Sequence, residues 1–334
     1  MRKPTASAAA LVLMAAGAQA ADVDLTLQLK WIPQAQFGGY YVAKDKGFYA
    51  EEGLEVAILP GGPEIAPTQV LAEGGADVIV EWMPAALAAR EKGLPLVNIA
   101  QPFKSSGMML TCLREAGIAD PRTDFAGKTL STWFAGNEYP FLNWMNHLGL
   151  STEGGQAGVA VLNQGAGIEP LLQKRAACIS TMNYNEYWQV IDAGIAPADL
   201  VSFRYEDQGV ATLEDGLYVL ETALRDRDRV TALVGFVRAS MRGWEYAREH
   251  PGEAAEIVLG NIAPQDGETG DRILRHQTRM AAEVAKLTEG GTGALDEADY
   301  RRTVDILLAG GPGPAISKPP EGAFTHLITD RAFD

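Results

Sequence analysis

Asp24-Leu25-Thr26-Leu27-Gln28-Leu29-Lys30, running into Trp31-Ile32-Pro33-Gln34-Ala35-Gln36-Phe37-Gly38-Gly39-Tyr40-Tyr41-Val42-Ala43-Lys44-Asp45-Lys46-Gly47, sets the pattern of the chain. Leu25, Leu27 and Leu29 alternate with polar partners, which predicts a strand over residues 24–30 with one buried face. Trp31-Ile32-Pro33 breaks that strand, residues 38–46 read as a helix, and Gly47 ends it. The alternation then recurs. A strand at 55–59 closes on Gly61-Gly62-Pro63, a helix follows at 66–73, and a strand at 77–80 ends at Glu81-Trp82. A helix at 85–92 and a strand at 94–100 complete a series that predicts one open α/β lobe on a parallel sheet.

A second lobe is expected to begin after Gly107, with strands at 108–113, 128–133, 158–162 and 177–181 and helices at 139–148 and 168–174. A strand at 216–220 carries the chain back. Val230, Leu233, Val234, Val237, Met241 and Trp244 then mark a long amphipathic helix. Residues 21–107 with 217–334 form the expected first lobe and 108–216 the second, hinged near Gly107 and Gly216 with a ligand cleft between them.

The chain has 334 residues, 47% of them apolar, enough for two such lobes and too apolar for whole-chain disorder. Its 43 acidic residues outnumber 28 Lys and Arg, and a net charge of −15 repels phosphate backbones and anionic lipid, so nucleic acid is not an expected partner. Residues 1–20 read as a secretory leader: Arg2 and Lys3, an apolar run from Ala8 to Ala18, and small residues in Ala18-Gln19-Ala20. That run is too short to anchor in a bilayer, so a soluble, monomeric protein of the periplasm is expected. The four histidines are scattered without ligand spacing, and no metal or cofactor is expected. Cys112 and Cys178 lie in strand-like runs and read first as small buried hydrophobes, with a disulfide as the alternative that an oxidising compartment allows.

Ligands of open α/β sheets bind beyond the carboxyl ends of strands. Following the strands in order, those positions hold Trp31, Gln36 and Phe37; Pro63 and Glu64; Trp82; and Ser106 at the crossing. The second lobe offers Trp133, Asn137, Glu138 and Tyr139, then Tyr184 and Asn185, and finally Glu206 beside Asp207. Three tryptophans directly after three strands suit the stacking of a planar ligand. A carboxylate such as Glu206 can accept two parallel N–H donors from an amidine-like edge, while Glu138 could instead favour the start of the helix at Tyr139. No phosphate loop, nucleophile elbow or His/Cys cluster is legible, so no catalytic constellation is read.

The run from Leu29 to Ala43, with Lys46-Gly47-Phe48-Tyr49, Glu52-Gly53-Leu54-Glu55-Val56, Gly61-Gly62-Pro63, Gly75-Ala76-Asp77 and Gly127-Lys128-Thr129, resembles the ABC-transporter solute-binding proteins of the thiamine-precursor type. That family also contains fungal and plant pyrimidine synthases. The resemblance implies a type II periplasmic binding protein fold whose two lobes close over one small molecule and deliver it to an ABC permease and ATPase. It implies stacking by Trp31 and Phe37, walls from Trp82 and Pro63, and polar contacts from Asn137, Tyr139, Tyr184, Asn185 and Glu206. The ligand it implies is a small aromatic nitrogen heterocycle, a thiamine-precursor pyrimidine first, with riboflavin or a nucleobase-like molecule as alternatives. A pyrimidine-biosynthesis enzyme on the same fold is the outside alternative. The synthase members consume their own histidine and carry a cysteine-rich motif; here Phe37 stands at the histidine's place and the chain has 2 cysteines, so binding without catalysis is the expectation.

Overall fold

The computed structural model describes residues 23–262, 270–288, 291–310 and 313–334. The leader read over residues 1–20 lies outside them. The described strands form two sheets of five. The first contains β1 (Val23–Gln28), β2 (Leu54–Leu59), β3 (Val78–Glu81) and β4 (Leu96–Ala100). The second contains β5 (Met108–Leu113), β6 (Thr129–Thr132), β7 (Ala160–Asn163), β8 (Cys178–Met182) and β9 (Leu200–Arg204). β10 (Gly216–Leu220) then returns to the first sheet, giving the orders β2-β1-β3-β10-β4 and β7-β6-β8-β5-β9.

Leu25, Leu27 and Leu29 are all buried, as their alternation requires, and β1 pairs in parallel with both β2 and β3. The sheets are not wholly parallel, which corrects the reading made from the alternation of elements. β10 runs antiparallel to β3 and β4, and β5 runs antiparallel to β8 and β9. Each reversed strand is the one that receives the chain from the other sheet. A crossing segment enters a sheet at the edge facing its partner, and from there it can only run away from the cleft, against its neighbours.

Among the elements that escape the sequence reading are β9, the helix Glu186–Asp192, and the short helices Phe48–Glu51 and Pro121–Asp124. β9 carries Ser202 and ends on an exposed Arg204, a weak apolar pattern that its pairing with β5 overrides. The long amphipathic helix is Arg227–Glu249, opened by Asp226, whose side chain accepts from the backbone N–H groups of Asp228 and Arg229. Its buried face packs on the helix Gly38–Asp45 so closely that a Cβ on Gly243 would lie 2.0 Å from the carbonyl oxygen of Gly39. The helix Glu297–Leu308 reaches the second sheet's side: Asn143 on the helix Tyr139–His147 donates to the Ile306 carbonyl at 2.8 Å.

Cys112 and Cys178 are opposite residues of β5 and β8 and form a disulfide, both fully buried. The alternative admitted above therefore holds, and the plain-hydrophobe reading is corrected. Spacing in sequence could not show that the two strands are neighbours in one register.

Candidate functional site

β1, β3, β6 and β8 present their carboxyl ends to a slot between the two sheets. It is lined by Lys30, Trp31, Gln34, Gln36 and Trp82 from the first lobe, and by Trp133, Asn137, Met182, Tyr184, Asn185 and Glu186 from the second. Of the residues expected from the strand ends, Trp31, Gln36, Trp82, Trp133, Asn137, Tyr184 and Asn185 come together here.

The others are placed elsewhere. Phe37 is fully buried in the core beneath the helix that follows it. Pro63 and Glu64 are exposed on the turn after β2. Ser106 is buried at the crossing, where its backbone N–H donates to Glu206 at 2.8 Å and its hydroxyl donates to Glu214. Glu206 thus braces the crossing segment rather than the slot wall. Glu138 accepts from the Gly136 N–H at 2.7 Å, a local turn contact, and its side chain makes no cap bond to the helix it precedes. Tyr139 packs beside an apolar cluster of Met83, Leu87 and Tyr300.

The slot's walls are flat and apolar. The Trp133 indole is fixed by donating to the Gly165 carbonyl at 3.1 Å, and Tyr184 meets Phe103 edge to face. Between the walls lie polar groups that sequence reading passed over. Lys30 is buried and pairs with Glu81 at 2.6 Å, so its charge is neutralised inside the protein. Glu186 is buried with one oxygen accepting from the Met182 N–H and the other from Asn185; burial pushes its carboxyl up to about 7. The Oδ1 of Asn137 is buried with no hydrogen-bond partner among the described residues. An unmatched buried acceptor on the wall of a slot is a ready point for a ligand donor.

Glu214 and Asp215 lie below the slot on the segment entering β10. Burial raises Glu214 to about 8 and Asp215 to about 6, the latter moderated by hydrogen bonds from Gln36 and Trp82 and by nearby Lys30. Asp215 was hidden in the sequence because it begins a strand. Since β10 is antiparallel, its beginning lies at the edge where β3 ends, and pairing of Gly216 with Glu81 sets Asp215 opposite Trp82. Glu186 was hidden in an unread helix, although it directly follows Asn185. Among the described residues no group of His, Cys, Asp and Glu is disposed to hold a metal.

Known proteins resemble this chain in sequence or in fold. The Formylaminopyrimidine-binding protein of Halalkalibacterium halodurans is 27% identical, over 85% of this chain and 84% of that protein. A 4-amino-5-hydroxymethyl-2-methylpyrimidine phosphate synthase of Legionella pneumophila is also 27% identical, over 70% of this chain and 72% of that one. A solved Candida albicans protein, described as exhibiting the generic periplasmic binding protein structural fold, superposes with a TM-score of 0.62 at 15% identity, covering 92% of this chain and 94% of that one. The two-lobed α/β architecture is that fold. The model of the family described as NMT1/THI5 like matches residues 34–254, and the chain belongs to that family.

Proposed function

We propose that this protein is the substrate-binding component of an ABC importer, exported to the periplasm, for a small aromatic nitrogen heterocycle, with a thiamine-precursor pyrimidine as first ligand. The observation that carries this reading is the slot: tryptophan and tyrosine faces from both lobes enclose Glu186 and the unpartnered Asn137 oxygen. A flat ring stacks against these aromatic faces, and its N–H groups meet these acceptors. The name of the Halalkalibacterium relative supports the pyrimidine. Ligand contacts made by both lobes at once favour the closed state by the free energy they add to it, and the closed form is what a permease and its ATPase would receive.

Binding without catalysis is supported by Phe37, which stands where the synthase members are expected to carry histidine and is sealed in the core. An anionic ligand is disfavoured because Lys30, the cation of the lining, is committed to Glu81. A larger ring system such as riboflavin is the second reading, favoured by one feature: a wider groove, bordered by Pro33, Gly167 and Gln189, shares Gln34 and Asn185 with the slot. A thermal-shift screen against pyrimidines, nucleobases, flavins and small sulfonates tests both, since a ligand of the folded state raises the melting temperature. A shift with an aminopyrimidine supports the first reading, a shift with flavins alone supports the second, and a shift with sulfonates alone rejects both.

A further inference from the structure

Asp215 ends a chain of hydrogen bonds that crosses the cleft. Its Oδ1 accepts from the Trp82 indole at 2.9 Å and its Oδ2 accepts from the Gln36 amide at 2.6 Å. The Gln36 Oε1 accepts from the Gln34 amide at 2.7 Å, and the Gln34 Oε1 accepts from the Asn185 amide at 3.4 Å. The same Asn185 Nδ2 donates to Glu186 at 2.8 Å. Asp215, Trp82, Gln36 and Gln34 stand on the first lobe, Asn185 and Glu186 on the second, and all of them are buried.

A carboxylate has only acceptors, whereas a carboxamide can turn either its oxygen or its NH2 toward a neighbour. Gln36 must therefore give its NH2 to Asp215, which leaves its oxygen for Gln34. Gln34 in turn must give its NH2 to Gln36, which leaves its oxygen for Asn185. One buried acid orients three amides in series, and at the far end the ionised Glu186 accepts from Asn185 in the same sense.

We propose that Asp215, which does not line the slot, is the positioning residue of the ligand site: it holds the Trp82 ring as a wall and sets, through Gln36, Gln34 and Asn185, which amide groups face the ligand as donors. The relay is a property of the protein alone, while its consequence for affinity rests on the ligand-binding reading above. Gln34 and Gln36 each keep a second amide hydrogen. The opposite lobe supplies acceptors, the Asn137 oxygen and Glu186. The relay thus makes the amide hydrogens of Gln34 and Gln36 the donors that the first lobe offers a ligand. Such donors suit a ring with a lone-pair atom on the edge that faces the first lobe.

Asp215→Asn tests this, because an asparagine keeps one acceptor and replaces the other with a donor, so Trp82 or Gln36 loses its partner. The first readout needs no ligand: the indole N–H resonance of Trp82, assigned with Trp82→Phe. It is expected to move in the Asp215→Asn protein, and an unmoved resonance overturns the proposal. The second is a double-mutant cycle between Asp215→Asn and Asn185→Ala, read as affinity for formylaminopyrimidine. Each single variant is expected to weaken binding about tenfold, and the double variant by at least about fivefold less than the product, since either change alone breaks the relay. Losses that multiply to within about twofold overturn the proposal. If Asp215→Asn fails to fold, the cycle of Gln36→Met with Asn185→Ala asks the same question of two residues joined only through Gln34, with the same outcomes. Should the wild-type protein bind no probe, the functional reading fails, and the indole resonance alone decides the role of Asp215.

Discussion

A side-chain carbon built on Gly136 would stand 2.3 Å from the Cβ of Ala85, far inside contact distance. Gly136 follows β6 in the second lobe, and Ala85 lies in the first turn of the helix Met83–Glu91 in the first. Their approach lets Trp82 and Trp133 face one slot. Gly136 also has a φ of 101°, a conformation that residues with a Cβ rarely adopt. Gly136→Val is expected to hold the lobes apart, weakening ligand affinity by at least about tenfold, roughly 1.4 kcal/mol. Small-angle scattering should report a larger radius of gyration with ligand present than for the wild type; an unchanged radius and affinity would remove this contact from the account.

The slot separates two glutamates that look alike in sequence. Glu186 lines it and Glu206 braces the crossing through Ser106. Glu186→Gln is expected to weaken pyrimidine binding about tenfold, whereas Glu206→Gln should change it by less than about threefold. Titration calorimetry on both variants checks this, and the reverse ranking would place the ligand elsewhere.

Buried acids shape the dependence of stability on pH. Glu186, Glu214 and Asp215 have folded-state values of about 7, 8 and 6, all above the ordinary carboxyl range near 4. Between roughly pH 4 and pH 8 the folded protein therefore holds protons that the unfolded chain has released, and stability falls as pH rises through that window. Acids held low by hydrogen bonds, such as Asp124 and Asp296, act below it. The melting temperature is expected to be lower at pH 8.5 than at pH 5.5. Glu214→Gln should flatten the difference by raising the value at the higher pH, and an unchanged profile would show that Glu214 is not the source.

The disulfide should contribute substantially to stability. It closes a loop between residues 66 apart, for which chain-entropy arguments give roughly 4 kcal/mol. Cys112→Ala with Cys178→Ala is expected to lower the denaturation midpoint in urea, with pyrimidine affinity little changed because neither cysteine lines the slot. A loss of affinity in the folded double variant would mean that β5 and β8 shift without the bridge.

Most of the fold was legible because β1, β3 and β4 carry strong apolar patterns bounded by turn residues, and helix boundaries agree to within a few residues. Strand direction was not legible, since alternation of elements says nothing about which strand enters a sheet from another lobe. That gap also concealed Asp215. A search at carboxyl ends of strands finds Trp82 but passes over the residue opposite it, which becomes visible only once β10 is known to be antiparallel. Proximity to a strand end likewise could not separate Trp31, on the slot wall, from Phe37, whose place in the first turn after Gln36 turns it inward.

On the proposed reading, the slot takes one planar nitrogen heterocycle between the aromatic faces of both lobes. The most direct measurement is titration calorimetry of the wild-type protein and Trp31→Ala with formylaminopyrimidine, after unfolding and refolding to strip any carried ligand. One site per chain and at least about tenfold weaker binding in the variant are expected. Absence of binding to the wild type, or equal affinity in both proteins, would contradict that reading.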